Sequence, residues 1–400
     1  MPGLIPMQNP IVEMDGDEMT RVLWALVKEK LILPYVDLKT EYYDLGLENR
    51  DATEDAVTVE AAQAILRLGV GVKCATITAN EERKAEYNLK ALYPSPNATI
   101  RAILDGTVFR KPIAVSPVAP AVSSWKKPIV IARHAYGDIY RCAEMRIPGP
   151  GKVELVYTDQ AGAERRALVA EMKGAGVVLG MHNLDESIRS FARSCFLYAI
   201  GEGIPVWFSA KDTISKVYDG RFKELFRELY ETEFRDRCAA AGVSYFYTLI
   251  DDAVARAVKG EGGFLWACKN YDGDVMSDMI AGASGSLAMM TSALVSPSGA
   301  MEYEAAHGTV RQHYYCWKKG ERTSSNPVAL IFAWTGALAK RAEKDGLGDL
   351  GAFTLRLEQA AVGAIEAGNM TADLARLAKP APSRALDSWE FIDAVAARLQ

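Results

Sequence analysis

The stretch TVEAAQAILRLGVGVKCATIT, Thr58–Thr78, decides the fold class. Its first half sets apolar residues at helical spacing and ends at Gly69, the residue type that most readily closes a helix. Its second half, VGVKCATIT, is apolar and β-branched and reads as a strand. The same alternation surrounds it: PIVEMDGDEM leads into the helical TRVLWALVKEKL, and the strand-like EYYDLGL follows. Strands alternating with helices pack as a mostly parallel sheet covered by helices, so the class is α/β. A second set of strands begins near PIVIARHAY. From Arg146 to Met181 the texture changes to short hairpins, an excursion suited to association between chains. Amphipathic helices return in ESIRSFARSCFLYAIGEG and YDGRFKELFRELYETEFRDRCAAAG and dominate the C-terminal part, around ALIFAWTGALAKRAEK and TLRLEQAAVGAIEAG.

A chain of 400 residues is too long for one simple core, which implies about two or three subdomains. Hydrophobic residues at 49% and charged residues at 24% fit a globular enzyme, and a net charge of −5 argues against a polyanion-binding protein. The six cysteines form no CxxC pair, which points to reduced thiols in a cytoplasm-like compartment. The start MPGLIPMQNP lacks the basic and apolar regions of a secretion signal, and no apolar run reaches membrane-spanning length. The expectation is therefore a cytoplasmic protein with no membrane or nucleic-acid partner.

Chemistry concentrates in LWACKNYDGDVMSDMIAGASGSL, Leu265–Leu287. Asp274 and Asp278 stand four residues apart in a helix-like stretch, so their carboxylates share one face and repel unless a cation lies between them. All-oxygen ligation suits Mg²⁺ or Mn²⁺ rather than zinc. A calcium loop starting at Asp272 fails, because its last ligand position is Ala283. LIDDAV adds Asp251 and Asp252 directly after an apolar run. SPNATIR, DGTVFRKPI and IARHAYGDIYR supply Ser95, Asn97, Arg101, Arg110, Arg133 and Tyr140. Arginine forks grip carboxylates two-pronged, and the small polar residues of SPNATIR offer further donors, so a ligand with two or three carboxylates suits the set. Tyr140 is a candidate proton donor, and Lys211, in WFSAKDTI at a strand end, is a candidate general base.

In EAAHGTVRQHYY, Gly308 lies between His307 and Thr309 and opens a turn whose N–H groups can face phosphates, with Arg311 and His313 beyond it. TSSNPVAL starts a helix, with Asn326 near its beginning and Pro327 at a favoured first-turn position. Each feature alone also fits an ordinary cap, loop or surface pair. Two glycine-rich stretches carry no nucleotide. GLGDLG, Gly346–Gly351, follows a helix instead of a strand, so Gly346 reads as a helix cap, and PGPGK, Pro148–Lys152, lacks the hydroxyl residue of a phosphate loop.

The motifs NPIVEMDGDEMTR, KCATIT, SPNATIRAILDGTVFR, RHAYGDIYR, KDTI, LIDDAV, WACKNYDGDVMSD, EAAHGTV and TSSNP run in unbroken order from about Asn9 to about Gly368. In that order they resemble the homodimeric, eukaryote-like (type II) NADP-dependent isocitrate dehydrogenases. The resemblance implies an α/β fold of the isocitrate and isopropylmalate dehydrogenase type without the Rossmann fingerprint. It implies a large cofactor-binding domain of residues 1–104 and 284–400, a small domain of 105–137 and 185–283, and a clasp of 138–184 at a dimer interface. The implied reaction is metal-dependent oxidative decarboxylation of isocitrate to 2-oxoglutarate and CO₂, a step of the tricarboxylic acid cycle and the glyoxylate bypass.

By the same resemblance Thr78, Ser95, Asn97, Arg101, Arg110 and Arg133 hold the substrate, and Tyr140 and Lys211 are catalytic. Asp274 and Asp278 hold Mg²⁺ or Mn²⁺, joined by Asp251, which like Lys211 comes from the other subunit. Thr76, Thr78, Arg83, Arg256, Lys259, His307, Gly308, Thr309, Val310, Arg311, Gln312, His313 and Asn326 line the dinucleotide. One position departs from the family: NADP-preferring members carry arginine where this chain has Gln312, so the 2′-phosphate loses a charge-assisted contact. Arg311, His313 and Lys259 remain, and no acidic residue in HGTVRQH repels a phosphate, so the reading leans to NADP with NAD or dual use as alternatives. A neighbouring class, the isopropylmalate and homoisocitrate dehydrogenases, shares the metal and lysine logic. SPNATIR, with its serine and asparagine, favours the carboxylate arm of isocitrate.

Overall fold

A computed structural model describes residues 3–399. Its strands, in chain order, are β1 (Ile5–Pro6), β2 (Ile11–Asp15), β3 (Val36–Asp37), β4 (Thr40–Asp44), β5 (Val70–Lys73), β6 (Thr107–Pro112), β7 (Val130–His134) and β8 (Ala143–Ile147). There follow β9 (Gly151–Thr158), β10 (Glu164–Met172), β11 (Gly176–Gly180), β12 (Val206–Ala210), β13 (Tyr245–Leu249), β14 (Leu265–Cys268), β15 (Met290–Val295) and β16 (Met301–Ala305). Ten of them form one sheet in the order β13-β12-β14-β7-β6-β15-β16-β5-β2-β4. Both ends of this sheet are parallel, as helix-alternating strands require. The centre is antiparallel, where β6 pairs with β7 and β15, and β15 pairs with β16. The expectation of a mostly parallel sheet therefore holds except at this seam. There the short turn through Gly299, at φ 81°, leaves β15 and β16 no option but to reverse.

The deciding stretch folds as read in its helix but not in all of its strand. The helix Ala56–Leu68 ends at Gly69, at φ 81°, whose N–H bonds Ile65 O at 2.7 Å. The strand is shorter than VGVKCATIT: it stops at Lys73. Beyond it the chain stays anchored by the buried Asp17, whose Oδ2 accepts from Ile77 N at 2.8 Å and whose Oδ1 accepts from Leu47 N at 2.7 Å. Gly16 permits this approach, because a Cβ there would stand 2.0 Å from Ala75 O. Residues 74–80 thus become an ordered loop that holds Thr76 and Thr78 in place of a strand.

Two large cores flank the sheet. One gathers the helices Glu18–Val27, Val328–Asp345 and Gly348–Glu366, with Trp24 and Trp334 at 4.8 Å. The other stacks Phe191, Phe196, Phe208, Phe222 and Phe226 beneath β12 and β14, each ring contributing about 2 kcal/mol on burial. The hairpin texture between Arg146 and Met181 becomes two ribbons outside the main sheet, β9 with β10 and β8 with β11. Both leave large apolar side chains uncovered by the rest of the chain: Val177 is 78% exposed, Met145 65% and Tyr157 62%. Gly346 ends its helix in the left-handed conformation, as its sequence setting requires. Among the described residues no helix is long and apolar enough to cross a membrane. All six cysteines are unpaired, and Cys74, Cys195, Cys238 and Cys268 are buried.

Candidate active site

Pairing of β6 and β7 sets Val108 opposite Arg133 and Arg110 opposite Ile131, so Arg110 and Arg133 lie diagonally on one face of the sheet. The helix Asn270–Ser284 crosses that face directly after β14. Glycine at 273 allows the contact, since a Cβ there would meet Arg133 Cβ at 2.7 Å. Asn270, Asp274 and Asp278 repeat every four residues, so the same helical face brings all three toward the arginines. Arg133 Nε donates to Asn270 Oδ1 at 2.8 Å, and its Nη1 donates to Asp274 Oδ1. Arg110 Nη1 donates to Ser277 Oγ at 2.6 Å and lies 3.6 Å from Asp278 Oδ1. The helix Pro96–Leu104 supplies Arg101 in its last turn, with Ser95 just before its start and Asn97 in its first turn. Tyr140 Oη donates to Asp274 Oδ2 at 2.5 Å, with the Arg133 guanidinium 4.7 Å from its ring centre.

These groups enclose a cavity of about 310 Å³, lined by Ser95, Asn97, Arg101, Arg110, Arg133, Tyr140 and Asp274 among others. Tyr136, Arg141 and Asn270 line it too and escaped the sequence reading. Asn270 had a signal, its helical repeat with Asp274 and Asp278. Arg141 had none, because its stacking on Tyr136, 4.9 Å from the ring, is a tertiary contact.

The cavity is strongly cationic. Burial, then Arg101 beside it, lowers Arg133 to about 10. Burial works against the charged form of Asp274, but Arg133, the Tyr140 hydroxyl and Arg110 outweigh it and hold the carboxyl below its ordinary range. Burial, then the bond to Asp274, pushes Tyr140 up to about 12, so its oxygen keeps a proton at neutral pH. Asn97 Oδ1 and Arg110 Nε are buried without a partner among the described residues, and both belong to the lining. Free acceptors and donors beside guanidinium groups match a polyanionic, hydroxylated ligand.

The metal candidates divide. Asp274 and Asp278 are neighbours on one helix, and burial together with Asp274 raises Asp278, as two carboxylates held close require. A divalent cation relieves that repulsion, and carboxylate oxygens suit a hard ion such as Mg²⁺ or Mn²⁺. Asp251 is not with them: it starts the helix Ile250–Lys259 and holds Lys211 Nζ at 2.5 Å. Neither Asp251 nor Lys211 lines the arginine cavity. Among the described residues no three His, Cys, Asp or Glu side chains of one chain converge on a common point.

A second cavity, of about 350 Å³, gathers His307, Gly308, Val310, His313 and Asn326. His307 Nε2 is buried without a partner, and Val310 adopts φ 58°, a strained conformation for a β-branched residue, immediately before the helix Arg311–Lys318. The turn is braced from α-helical residues nearby: Thr309 Oγ1 donates to Glu18, and Arg83 lies 2.8 Å from Glu18. Arg311 pairs with Glu82 at 3.1 Å and Glu86 at 2.9 Å. Gln312 is exposed, and Thr76 and Thr78 line neither cavity. Arg256 and Lys259 stand with Asp251 on the 250–259 helix, where Arg256 Nε bonds Asp252 at 2.7 Å.

Comparison with known proteins identifies the family of the chain. A family model for isocitrate/isopropylmalate dehydrogenases matches residues 7–395. A protein of Arabidopsis thaliana named isocitrate dehydrogenase [NADP], chloroplastic/mitochondrial, is 53% identical over 401 residues, covering 99% of this chain and 83% of that protein. Isocitrate dehydrogenase [NADP] 1 of Mycobacterium bovis is 51% identical over 399 residues, covering 99% of this chain and 97% of its own. A Mycobacterium tuberculosis protein of the same name matches to the same extent.

Proposed function

The chain belongs to the isocitrate/isopropylmalate dehydrogenase family, and on that premise we propose that it oxidises and decarboxylates isocitrate to 2-oxoglutarate and CO₂ with reduction of NADP. The observation that carries the reading is the single cavity in which Arg101, Arg110 and Arg133 face Asp274 and Tyr140. Three guanidinium groups neutralise a tricarboxylate, and Ser95 and Asn97 add hydrogen bonds that orient it. Asp274 and Asp278, with the partner subunit's Asp251, would hold Mg²⁺ or Mn²⁺, which would supply positive charge beside the substrate hydroxyl. His307, Gly308, Thr309, Val310, His313 and Asn326, with Thr76, Thr78 and Arg83, would hold the dinucleotide, which when bound would supply the hydride acceptor.

The partner subunit's Lys211 moves the substrate hydroxyl proton through its Nζ. After CO₂ leaves, Tyr140 delivers the proton on its Oη to the carbon that lost the carboxylate, and Asp274 keeps that hydroxyl aimed. Thr78 stands with the substrate ligands in this reading, although it is exposed in the isolated chain. The division into domains 1–104 with 284–400, 105–137 with 185–283, and 138–184 belongs to the same proposal. Residues of all three segments line the cavity. A homodimer joined through the exposed β8–β11 ribbons supplies Lys211 and Asp251 in trans. Unpaired cysteines throughout fit a reducing compartment, the cytoplasm in our reading.

The cofactor is the finer point. Gln312 brings no charge, and Arg311 is already engaged by Glu82 and Glu86, so the 2′-phosphate relies on His313 and on the partner subunit's Arg256 and Lys259. Purified protein assayed with isocitrate, isopropylmalate and homoisocitrate, each with NADP and with NAD plus Mn²⁺, tests the whole proposal. We expect turnover of isocitrate alone, and kcat/KM higher with NADP. Preference for either other acid overturns the substrate, and a preference for NAD above about tenfold overturns the cofactor.

A further inference from the structure

Beside the arginine cavity lies a second, buried group of charges, Lys73, Glu302 and Glu304, none of which lines that cavity. Glu302 and Glu304 alternate on β16 and so point to the same side of the sheet. Register sets Glu304 between Lys73 on β5 and Ser292 on β15. Its Oε1 accepts from Arg101 Nη2 at 2.7 Å and lies 3.4 Å from Ser292 Oγ, while its Oε2 is 3.9 Å from Lys73 Nζ. Lys73 Nζ also donates to Cys74 O at 2.9 Å. Lys73, Arg101, Ser292, Glu302 and Glu304 are each at most 8% exposed. Buried charges of this kind persist only where each has a partner, and loss of one partner strands the other.

We propose that Glu304 is a positioning residue for substrate binding: from beside the cavity it fixes Arg101 so that the free edge of the guanidinium faces the substrate carboxylate, and Lys73 and Ser292 fix Glu304 in turn. Arg101 has five N–H donors on a rigid plane, so a carboxylate holding one Nη dictates where the others point. No other carboxylate bonds Arg101 among the described residues. Arg110 and Arg133 take their ion-pair partners from the 270–284 helix instead. Without Glu304, Arg101 keeps no carboxylate bond while Arg110 and Arg133 still act on it as like charges, and the balance favours its withdrawal from the cavity. Charge states agree with this assignment. Burial disfavours the ionised form of Glu304, yet Arg101 and Lys73 hold it below the ordinary carboxylate range. Burial, then Glu304 beside it, pushes Glu302 up to about 8, so Glu304 carries the negative charge of the pair at neutral pH.

The inference rests on the reading of the arginine cavity as the isocitrate site, and the experiment separates the two. Isocitrate KM, kcat, NADP KM and melting temperature are measured for the wild type, Glu304→Gln, Glu304→Asp, Arg101→Met and the doubles of Arg101→Met with each. A wild type without isocitrate turnover refutes the cavity reading itself. With turnover established, Glu304→Gln raises isocitrate KM about tenfold, with kcat at saturation within about twofold and NADP KM unchanged. Glu304→Asp keeps the charge and withdraws it by one methylene, so it raises KM in the same sense even if the glutamine variant fails to fold. Neither change adds to Arg101→Met, because its effect passes through that guanidinium. A folded Glu304→Asp enzyme with wild-type KM, or an undiminished Glu304 effect in the Arg101→Met background, overturns the proposal.

Discussion

The arginine cavity and the exposed end of the 250–259 helix make opposite use of the same residue types. In the cavity, Arg101, Arg110 and Arg133 are at most 8% exposed, and each is matched to a carboxylate of its own chain. At the other place, Lys211 with Asp251 and Arg256 with Asp252 pair off in solvent, where such bonds add little to stability. In the proposed reading, the three guanidinium groups buried at the cavity are there to meet a ligand within the chain. Charges left exposed to solvent are, in our reading, suited to complete a site on another copy.

The largest effect that sharpens this contrast comes from Lys211. Lys211→Met is expected to lower kcat about 10³-fold while leaving the melting temperature close to wild type, because the side chain is in solvent. Mixing that variant with Asp274→Asn subunits should restore activity, since mixed dimers carry one intact composite site. Two inactive variants that stay inactive after unfolding and co-refolding break the contrast.

Inside the cavity, Tyr140→Phe is expected to lower kcat about 10²-fold with a small change in isocitrate KM, measured by steady-state kinetics. An unaltered kcat assigns the proton to another group. Arg133→His should act mainly on binding, raising isocitrate KM about 30-fold through the lost two-pronged charge contact. It should also lower the melting temperature, because Arg133 anchors Asn270 and Asp274 from within the fold. An unchanged KM removes Arg133 from the substrate's surroundings.

The smallest expected effect is on stability against pH. Lys73, Glu304 and Arg101 surround Glu302, whose carboxyl burial moves from the usual 4.5 to about 8. A carboxyl with a raised folded-state pKa stabilises fully below the unfolded value, and that contribution is lost as pH rises through about 8. Urea midpoints of the wild type should therefore fall between pH 6 and about 8.5 relative to those of Glu302→Gln, which carries no ionisable group there. Parallel curves for the two proteins show that Glu302 ionises normally.

Much of the site was legible in the chain. Asp274 and Asp278 were legible because helical periodicity turns a spacing of four into a shared face. The arginines of SPNATIR, DGTVFR and IARHAY were legible as types suited to carboxylates, and the closing role of Gly69 followed from its setting. Less legible was anything that depends on distant pairing. Nothing in the sequence joins Arg101 to Glu304, 203 positions away, or Tyr140 to Asp274, 134 positions away. The strand VGVKCATIT was overextended because, past the backbone bonds of Cys74 and Ala75 to Met14 and Asp17, the chain is held at Ile77 by the Asp17 side chain. Asn270 went unread although it repeats with the two aspartates, because an amide carries no charge to draw attention.

By itself the sequence determined the local periodicities, the α/β class and the inventory of charged groups, since each follows from residues a few positions apart. Tertiary structure alone decided which charges face one another. Burial and register set those meetings, and the strength of a buried ion pair depends on distance and dielectric surroundings that no local pattern encodes.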